Sequence, residues 1–154
     1  MAITNPLCGY CSKPFETYAK LLEQYPEDIH FSVVFNVPSG VTNKATQLTL
    51  QIIALYQQNK TLAWEALLAW FKEKDVESWT LKYAQKQEIT ATSILEIVTN
   101  HKGWCVQNDL YYTPETIINN QLFPKDPYQI NDVLFFIDDL ILDTQKEGFI
   151  PVIA

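Results

Sequence analysis

The chain has 154 residues, of which 47% are hydrophobic and 19% are charged. This length corresponds to one ordinary domain, which can bury a core without disulfides or structural metal ions. Eleven lysines face eighteen acidic residues, arginine is absent, and the formal net charge is −7. Binding to nucleic acid requires clustered positive charge, so we exclude nucleic acids as partners. No apolar run reaches the roughly 18 to 20 residues of a membrane-spanning helix.

The first 108 residues predict two strands, a helix between them and then a helical block. Residues 3–5 form a short predicted strand, and the apolar spacing after the following turn predicts a helix that ends before Pro26. Residues 30–36 are rich in β-branched and aromatic side chains, which favours a buried strand. From about residue 44 to residue 108 the apolar residues repeat with helical spacing, and about four helices fit there.

The pattern changes again after residue 109. Two short apolar stretches, at residues 116–118 and 121–124, flank an Asn119-Asn120 pair. Asparagine adopts the positive φ of a tight hairpin more readily than most residues, so we predict a β-hairpin here. Asn131 is the predicted cap of a final helix that ends near Gly148 and has an apolar face made of Val133, Leu134, Ile137, Leu140 and Ile141.

The cysteines indicate where chemistry takes place. Cys8 and Cys11 have CxxC spacing at the predicted start of the first helix, and Cys105 lies on an apolar helix face. Three cysteines are too few for a disulfide scaffold, so we interpret the pair as redox-active. A zinc site made of this pair with His101 and Cys105 is the alternative. Without a metal ion, Cys105 is an inert core residue and His101 is an interior or boundary histidine.

The CxxC motif before a helix, the helical block, and Thr113-Pro114 ahead of a strand and a two-asparagine hairpin together resemble the thioredoxin superfamily, and more narrowly its DsbA-like members. This resemblance covers nearly the whole chain. It implies an α/β, thioredoxin-like fold over residues 1–148, with a multi-helix insertion at about residues 42–108 between a βαβ half and a ββα half. Residues 149–154 would be a C-terminal tail. It also implies that Pro114 is cis and lies beside the CxxC motif.

Cys8 is the expected attacking sulfur, and Cys11 is the expected resolving thiol. The thiolate is the nucleophile in disulfide exchange, and the free N–H groups at a helix N-terminus lower the pKa of a thiol below about 8.5. Gly9 and Tyr10, which separate the cysteines, influence the reduction potential. Strong DsbA oxidants usually have His where this chain has Tyr10, so the resemblance implies a less oxidising pair.

Three further residues bear on the reactivity of the pair. Pro14 falls in the interior of the predicted helix, where a proline removes a hydrogen bond and is expected to kink it. Glu115 follows Pro114, and its carboxylate would raise the pKa of Cys8 if the two faced each other. Ala2 occupies the position where thioredoxins carry a buried acid, so that proton relay is absent or is supplied by another residue.

By this resemblance the protein is a thiol-disulfide oxidoreductase that needs no cofactor. Thr113 and Pro114, together with Gly9 and Tyr10, are expected to contact extended or unfolded protein substrates. The direction of electron flow stays open, because oxidases, reductases and isomerases differ in reduction potential and in recycling partner. The alternative is a non-catalytic thioredoxin-like binding module in which the two cysteines of the CxxC motif form a permanent structural disulfide.

The expected location also follows from the resemblance. DsbA-like insertions belong mainly to bacterial proteins that face the periplasm or the cell exterior, where disulfides persist, so we expect a periplasmic or extracytoplasmic location. Fewer residues precede the CxxC motif than in whole DsbA-like proteins, which favours a domain of a larger protein that is monomeric in isolation. A redox-recycling partner is expected, and a vitamin K epoxide reductase-like membrane domain is our hypothesis for it.

Overall fold

The computed structural model describes residues 1–38, 40–84 and 92–147. The predicted C-terminal tail, residues 149–154, lies outside this part of the chain. A four-stranded mixed sheet has the strand order β2-β1-β3-β4. Strand β1 is parallel to β2 and antiparallel to β3, which is antiparallel to β4. The strands are β1 at Ala2–Thr4, β2 at Val33–Phe35, β3 at Glu115–Ile118 and β4 at Gln121–Leu122.

The helices divide into three groups along the chain. Helix α1 (Ser12–Gln24) connects β1 to β2, and a 3₁₀ helix (Ile130–Phe135) followed by α6 (Ile137–Glu147) comes after β4. Four helices of the described chain lie between β2 and β3, namely α2 (Lys44–Gln58), α3 (Lys60–Glu73), α4 (Val76–Tyr83) and α5 (Thr92–Gln107). The predicted fold class is therefore confirmed, with a βαβ half, a helical insertion and a ββα half. None of the helices described has both the length and the apolar character needed to cross a membrane.

Polar side chains fix where the first three insertion helices begin. Asn43 caps α2 by accepting hydrogen bonds from two backbone N–H groups of its first turn, and Asn59 caps α3 with one such bond. Asp75 caps α4 by accepting hydrogen bonds from backbone N–H groups of its first turn. These side chains satisfy N–H groups that have no partner within the helix, which sets the short connections between consecutive helices.

Both faces of strand β1 are covered. Ala2 belongs to the large core cluster formed with α1 and the insertion, whereas Ile3 packs with Cys105 in a second cluster. This division follows from the alternation of side chains along a strand. In the large cluster, the ring of Phe15 from α1 stacks on Phe71 from α3 with 4.3 Å between ring centroids. The insertion is thus packed directly against the helix that follows the CxxC motif.

The predicted hairpin is present between β3 and β4. Asn119 and Asn120 have φ values of 48° and 64°, and Ile117 and Ile118 pair with Leu122 and Gln121. Positive φ at both central residues is the requirement of a type I′ turn, whose twist matches that of the two strands.

The last helical segment differs from the prediction. Asn131 is not a helix cap, because Gln129 begins a 3₁₀ helix through reciprocal hydrogen bonds with Asp132, and α6 starts only at Ile137. Val133 and Ile137 are nevertheless buried together in one cluster, as the apolar pattern predicted. A 3₁₀ turn and an α turn both place residues three or four apart on one face, so the spacing of apolar residues does not distinguish them.

Candidate active site

The CxxC motif lies in the loop between β1 and α1. Helix α1 begins at Ser12, after the motif, and Cys11 is its N-cap. Cys8 therefore lies ahead of the helix rather than in its first turn, where the sequence had placed it. The prediction that Pro14 kinks the helix is also wrong, because Pro14 is the third helical residue. An N–H group at that position has no acceptor within the helix, so proline removes nothing there.

The Thr113-Pro114 motif lies against the CxxC motif. The peptide bond between Thr113 and Pro114 is cis, which is the geometry implied by the resemblance. The Sγ atom of Cys8 donates a hydrogen bond of 3.3 Å to the carbonyl oxygen of Thr113. Two motifs that are about a hundred residues apart in the chain thus meet at one sulfur atom.

The two sulfurs differ in their access to solvent. Cys11 is fully buried at 0% exposure, while Cys8 is partly exposed. Gly9 is exposed, and Tyr10 is exposed over 83% of its surface. Both cysteines are free thiols in this structure. Only Cys8 therefore offers its sulfur to a molecule as large as a protein.

Hydrogen bonds favour the ionised form of Cys8. Burial acts to raise the pKa of the Cys8 thiol, but hydrogen bonds from the Cys11 thiol, the Thr113 side chain and the backbone N–H groups of Tyr10 and Cys11 together hold this pKa below its ordinary value. The backbone N–H groups that precede α1 thus have the effect that the sequence analysis assigned to the helix N-terminus. Cys8 has more thiolate at neutral pH than a free cysteine.

Cys11 has the opposite tendency. Burial, followed by its hydrogen bond to the Cys8 sulfur, raises the pKa of the Cys11 thiol to about 11. The negative charge on Cys8 contributes in the same direction. The pair is therefore polarised, with Cys8 ionising first and Cys11 retaining its proton.

Glu115 forms an ion pair with Lys125. Its carboxylate is buried and lies 2.6 Å from the ammonium group of Lys125. Glu115 would raise the pKa of Cys8 only if its carboxylate were turned toward that thiol. The contact with Lys125 does not support this orientation.

Thr4 lies near the CxxC motif and was not predicted as a site residue. Thr4 is fully buried at the end of β1, and among the residues described its hydroxyl has no oxygen or nitrogen partner. An interaction of this hydroxyl with the Cys11 sulfur opposes the effect of burial on the pKa of that thiol. Ala2, at the position of the thioredoxin acid, is part of the apolar core. The sequence of this short apolar strand does not predict the contact between Thr4 and Cys11.

Two side chains from the insertion also contact the loop. Trp70 donates a hydrogen bond of 2.7 Å from Nε1 to the carbonyl oxygen of Pro6, and Lys74 donates one of 2.7 Å from Nζ to the carbonyl oxygen of Cys8. The sequence analysis predicted neither contact. Spacing along the chain does not identify them, because the contacting residues are more than sixty positions apart.

Cys105 and His101 both have contacts in the interior of the fold. Cys105 is fully buried in an apolar cluster, and burial raises the pKa of its thiol. His101 accepts a hydrogen bond of 3.3 Å at Nδ1 from the backbone of Phe35, and burial lowers the pKa of its imidazole. In the described part of the chain no three His, Cys, Asp or Glu side chains are placed to hold a metal ion. Cys105 packs in a different core cluster from Cys11.

Comparison with known proteins shows the fold. No protein-family model matches the sequence, and no curated protein matches it. The chain is similar to the crystal structure of Proteus mirabilis ScsC in a transitional conformation, with 14% identity and a TM-score of 0.73 over 92% of this chain and 67% of that one. ScsC in a compact conformation matches with 13% identity and a TM-score of 0.70 over 91% of this chain and 81% of that one. The chain therefore has the thioredoxin-like fold with a helical insertion.

Proposed function

We propose that the protein is a thiol-disulfide oxidoreductase that exchanges disulfides with protein substrates through Cys8 and Cys11. One observation carries the proposal. A partly exposed sulfur with a lowered pKa lies 3.3 Å from the residue before a cis proline, next to a buried thiol whose pKa is raised. A nucleophile that is accessible and ionises more readily than a free cysteine, beside a buried partner that ionises less readily, is the arrangement that stepwise disulfide exchange requires.

In the reducing direction, the Cys8 thiolate attacks one sulfur of a substrate disulfide. A mixed disulfide forms, and the other substrate sulfur leaves as a thiolate that takes up a proton. Formation of the mixed disulfide removes the charge on Cys8, which is one cause of the high pKa of Cys11. Cys11 then loses its proton and attacks the Cys8 sulfur, which releases the second substrate thiolate. Two electrons pass from the cysteine pair to the substrate.

In the oxidising direction, the same steps run backwards from a Cys8–Cys11 disulfide. A substrate thiolate attacks Cys8, and Cys11 leaves with the electron pair and is protonated. A second substrate thiolate then attacks the substrate sulfur of the mixed disulfide, and Cys8 leaves as a thiolate. The interactions that hold the pKa of Cys8 low make it a good leaving group in this direction.

The proposed substrates are extended or unfolded polypeptides. While Cys8 is protonated, the Thr113 carbonyl accepts a hydrogen bond from its S–H group. Neither the Cys8 thiolate nor a mixed disulfide has an S–H group, so in those states this carbonyl is available to a backbone N–H of the substrate. Tyr10 and Tyr112 are 83% and 73% exposed on the same loops. Backbone pairing at Thr113 with loose apolar contacts around it accommodates many sequences.

The proposed setting is the periplasm or another extracytoplasmic space, because disulfides persist there. A recycling partner restores the pair after each cycle, and a membrane domain similar to vitamin K epoxide reductase remains our hypothesis for it. Equilibration with glutathione buffers would choose the direction, since a midpoint near about −270 mV is typical of a reductant and one near about −120 mV of a strong oxidant.

Alkylation by iodoacetamide tests the proposal against the binding-module alternative. The reduced protein should be alkylated at Cys8 near pH 7 faster than a free cysteine peptide. A rate no faster than that of the peptide, together with a Cys8–Cys11 disulfide that resists glutathione, would establish the non-catalytic binding module instead.

A further inference from the structure

Helix α3 of the insertion holds the CxxC loop at two points. The buried Nε1–H of Trp70 binds the carbonyl oxygen of Pro6 at 2.7 Å, and the ammonium of Lys74 binds the carbonyl oxygen of Cys8 at 2.7 Å. Trp70 lies in the last turn of α3, and Lys74 is the residue that caps the end of this helix. The C-terminal end of α3 therefore contacts the loop both before the motif and at its first cysteine.

The position of Lys74 is itself well defined. Lys74 is the C-cap of α3, has a left-handed φ of 52°, and donates its backbone N–H to the Trp70 carbonyl at 2.8 Å. Its ammonium also lies 5.8 Å from the centroid of the Phe71 ring, which stacks on Phe15 of α1. The side chain is partly buried, so its charge is screened less than that of an ordinary surface lysine.

We propose that Lys74 is a positioning residue for disulfide exchange, which orients the Cys8 peptide unit and places a fixed positive charge beside the Cys8 thiolate. The inference rests on the proposed function. When the Cys8 carbonyl is bound by Lys74, the following turn is oriented so that the Tyr10 and Cys11 N–H groups face the Cys8 sulfur. The hydrogen-bond length and the covalent geometry of one residue place the ammonium within roughly 7 Å of that sulfur.

The charge acts on one redox state more than on the other. A cation at this distance stabilises the Cys8 thiolate of the reduced protein, but it has no comparable effect on the neutral disulfide. Lys74 should therefore increase the reactivity of Cys8 and shift the glutathione equilibrium toward the reduced protein.

The test compares four proteins: wild type, Lys74→Met, Lys74→Arg and the control Lys72→Met. Lys72 is an exposed lysine in the last turn of the same helix, so its removal changes the net charge equally. We expect K74M to reduce the alkylation rate of Cys8 at pH 7 about threefold or more, and to shift the glutathione equilibrium toward the disulfide by a similar factor. K74R should recover most of both properties, and K72M should match wild type.

The outcomes separate this inference from the proposed function. Equal rates and equilibria for K74M and wild type would overturn the role of Lys74 while leaving a reactive Cys8 in place. The same conclusion would follow if K74R behaved like K74M, or if K72M lost as much reactivity as K74M. A wild-type Cys8 no faster than a peptide thiol would instead remove the proposed function. If K74M does not fold, Lys74→Gln keeps a hydrogen-bond donor without the charge, and a smaller loss in the same direction is expected from it.

Discussion

The sulfur of Cys8 lies 3.3 Å from the carbonyl oxygen of Thr113, although 105 residues separate them in the chain. The contact joins the loop after β1 to the loop before β3, and these two strands are neighbours in the sheet. The sheet therefore brings the thiol and the cis-proline segment together, and the insertion between them in sequence does not disturb their contact.

The two cysteines should have different mutant phenotypes. Cys8→Ser should abolish exchange, because the only accessible sulfur of the pair is lost. Cys11→Ser should instead accumulate mixed disulfides with substrate, since Cys8 still attacks but nothing releases the product. Gel electrophoresis without reductant detects these adducts. Cys105→Ala is the control, because that thiol is buried in the core, and it should keep exchange activity. Adducts that form equally in Cys8→Ser would contradict the assignment of the nucleophile.

The two thiols of the reduced pair should titrate separately. Hydrogen bonds outweigh burial at Cys8 and lower its pKa, so its thiolate should appear at a lower pH than that of a free cysteine. Burial raises the pKa of Cys11 to about 11, so its thiolate should appear only in alkaline solution. Thiolate absorbance near 240 nm, measured against the Cys8→Ser and Cys11→Ser variants, resolves the two steps. A single step at the pH of a free cysteine would show that the loop does not polarise the pair.

Trp70→Phe should destabilise the protein and also change the chemistry at Cys8. The substitution keeps an aromatic ring in the core but leaves the buried Pro6 carbonyl without its donor, which costs about 1 to 3 kcal/mol of unfolding free energy. Because Pro6 leads into the CxxC loop, the alkylation rate of Cys8 should change as well.

Trp79→Phe is the matched control for this experiment. Trp79 donates an equivalent buried hydrogen bond of 2.7 Å to Ala66, but this bond lies within the insertion. Its loss should lower stability by a similar amount in urea denaturation and leave the alkylation rate of Cys8 unchanged. If both variants changed that rate equally, the Trp70 contact would have no special role in positioning the loop.

Glu115→Gln should leave the reactivity of Cys8 at the wild-type level. The carboxylate is bound by Lys125 at 2.6 Å, so its charge is already compensated. Unfolding free energy should fall by about 1 kcal/mol, since Lys125 is largely exposed and the pair is partly screened. Lys125→Met should be more destabilising than Glu115→Gln, because it leaves a buried carboxylate without a partner. A marked increase in Cys8 alkylation in Glu115→Gln would mean that the carboxylate acts on the thiol after all.

Local patterns determined the order of the elements and the candidate site residues. Apolar spacing identified the strands and the helical block, and two consecutive asparagines identified the hairpin, because the side-chain period and φ preferences are properties of neighbouring residues. The CxxC and Thr-Pro motifs identified Cys8, Cys11, Thr113 and Pro114 by resemblance, without any contact between them being known.

Only the tertiary structure decided how these residues act on one another. It placed the start of α1 after Cys11, paired Glu115 with Lys125, and brought Lys74 to the Cys8 carbonyl. The pKa values of the two thiols depend on burial and on hydrogen bonds from residues 4–11 and from Thr113. Such interactions depend on distances in space, and spacing along the sequence does not encode them when the partners are sixty or a hundred residues apart.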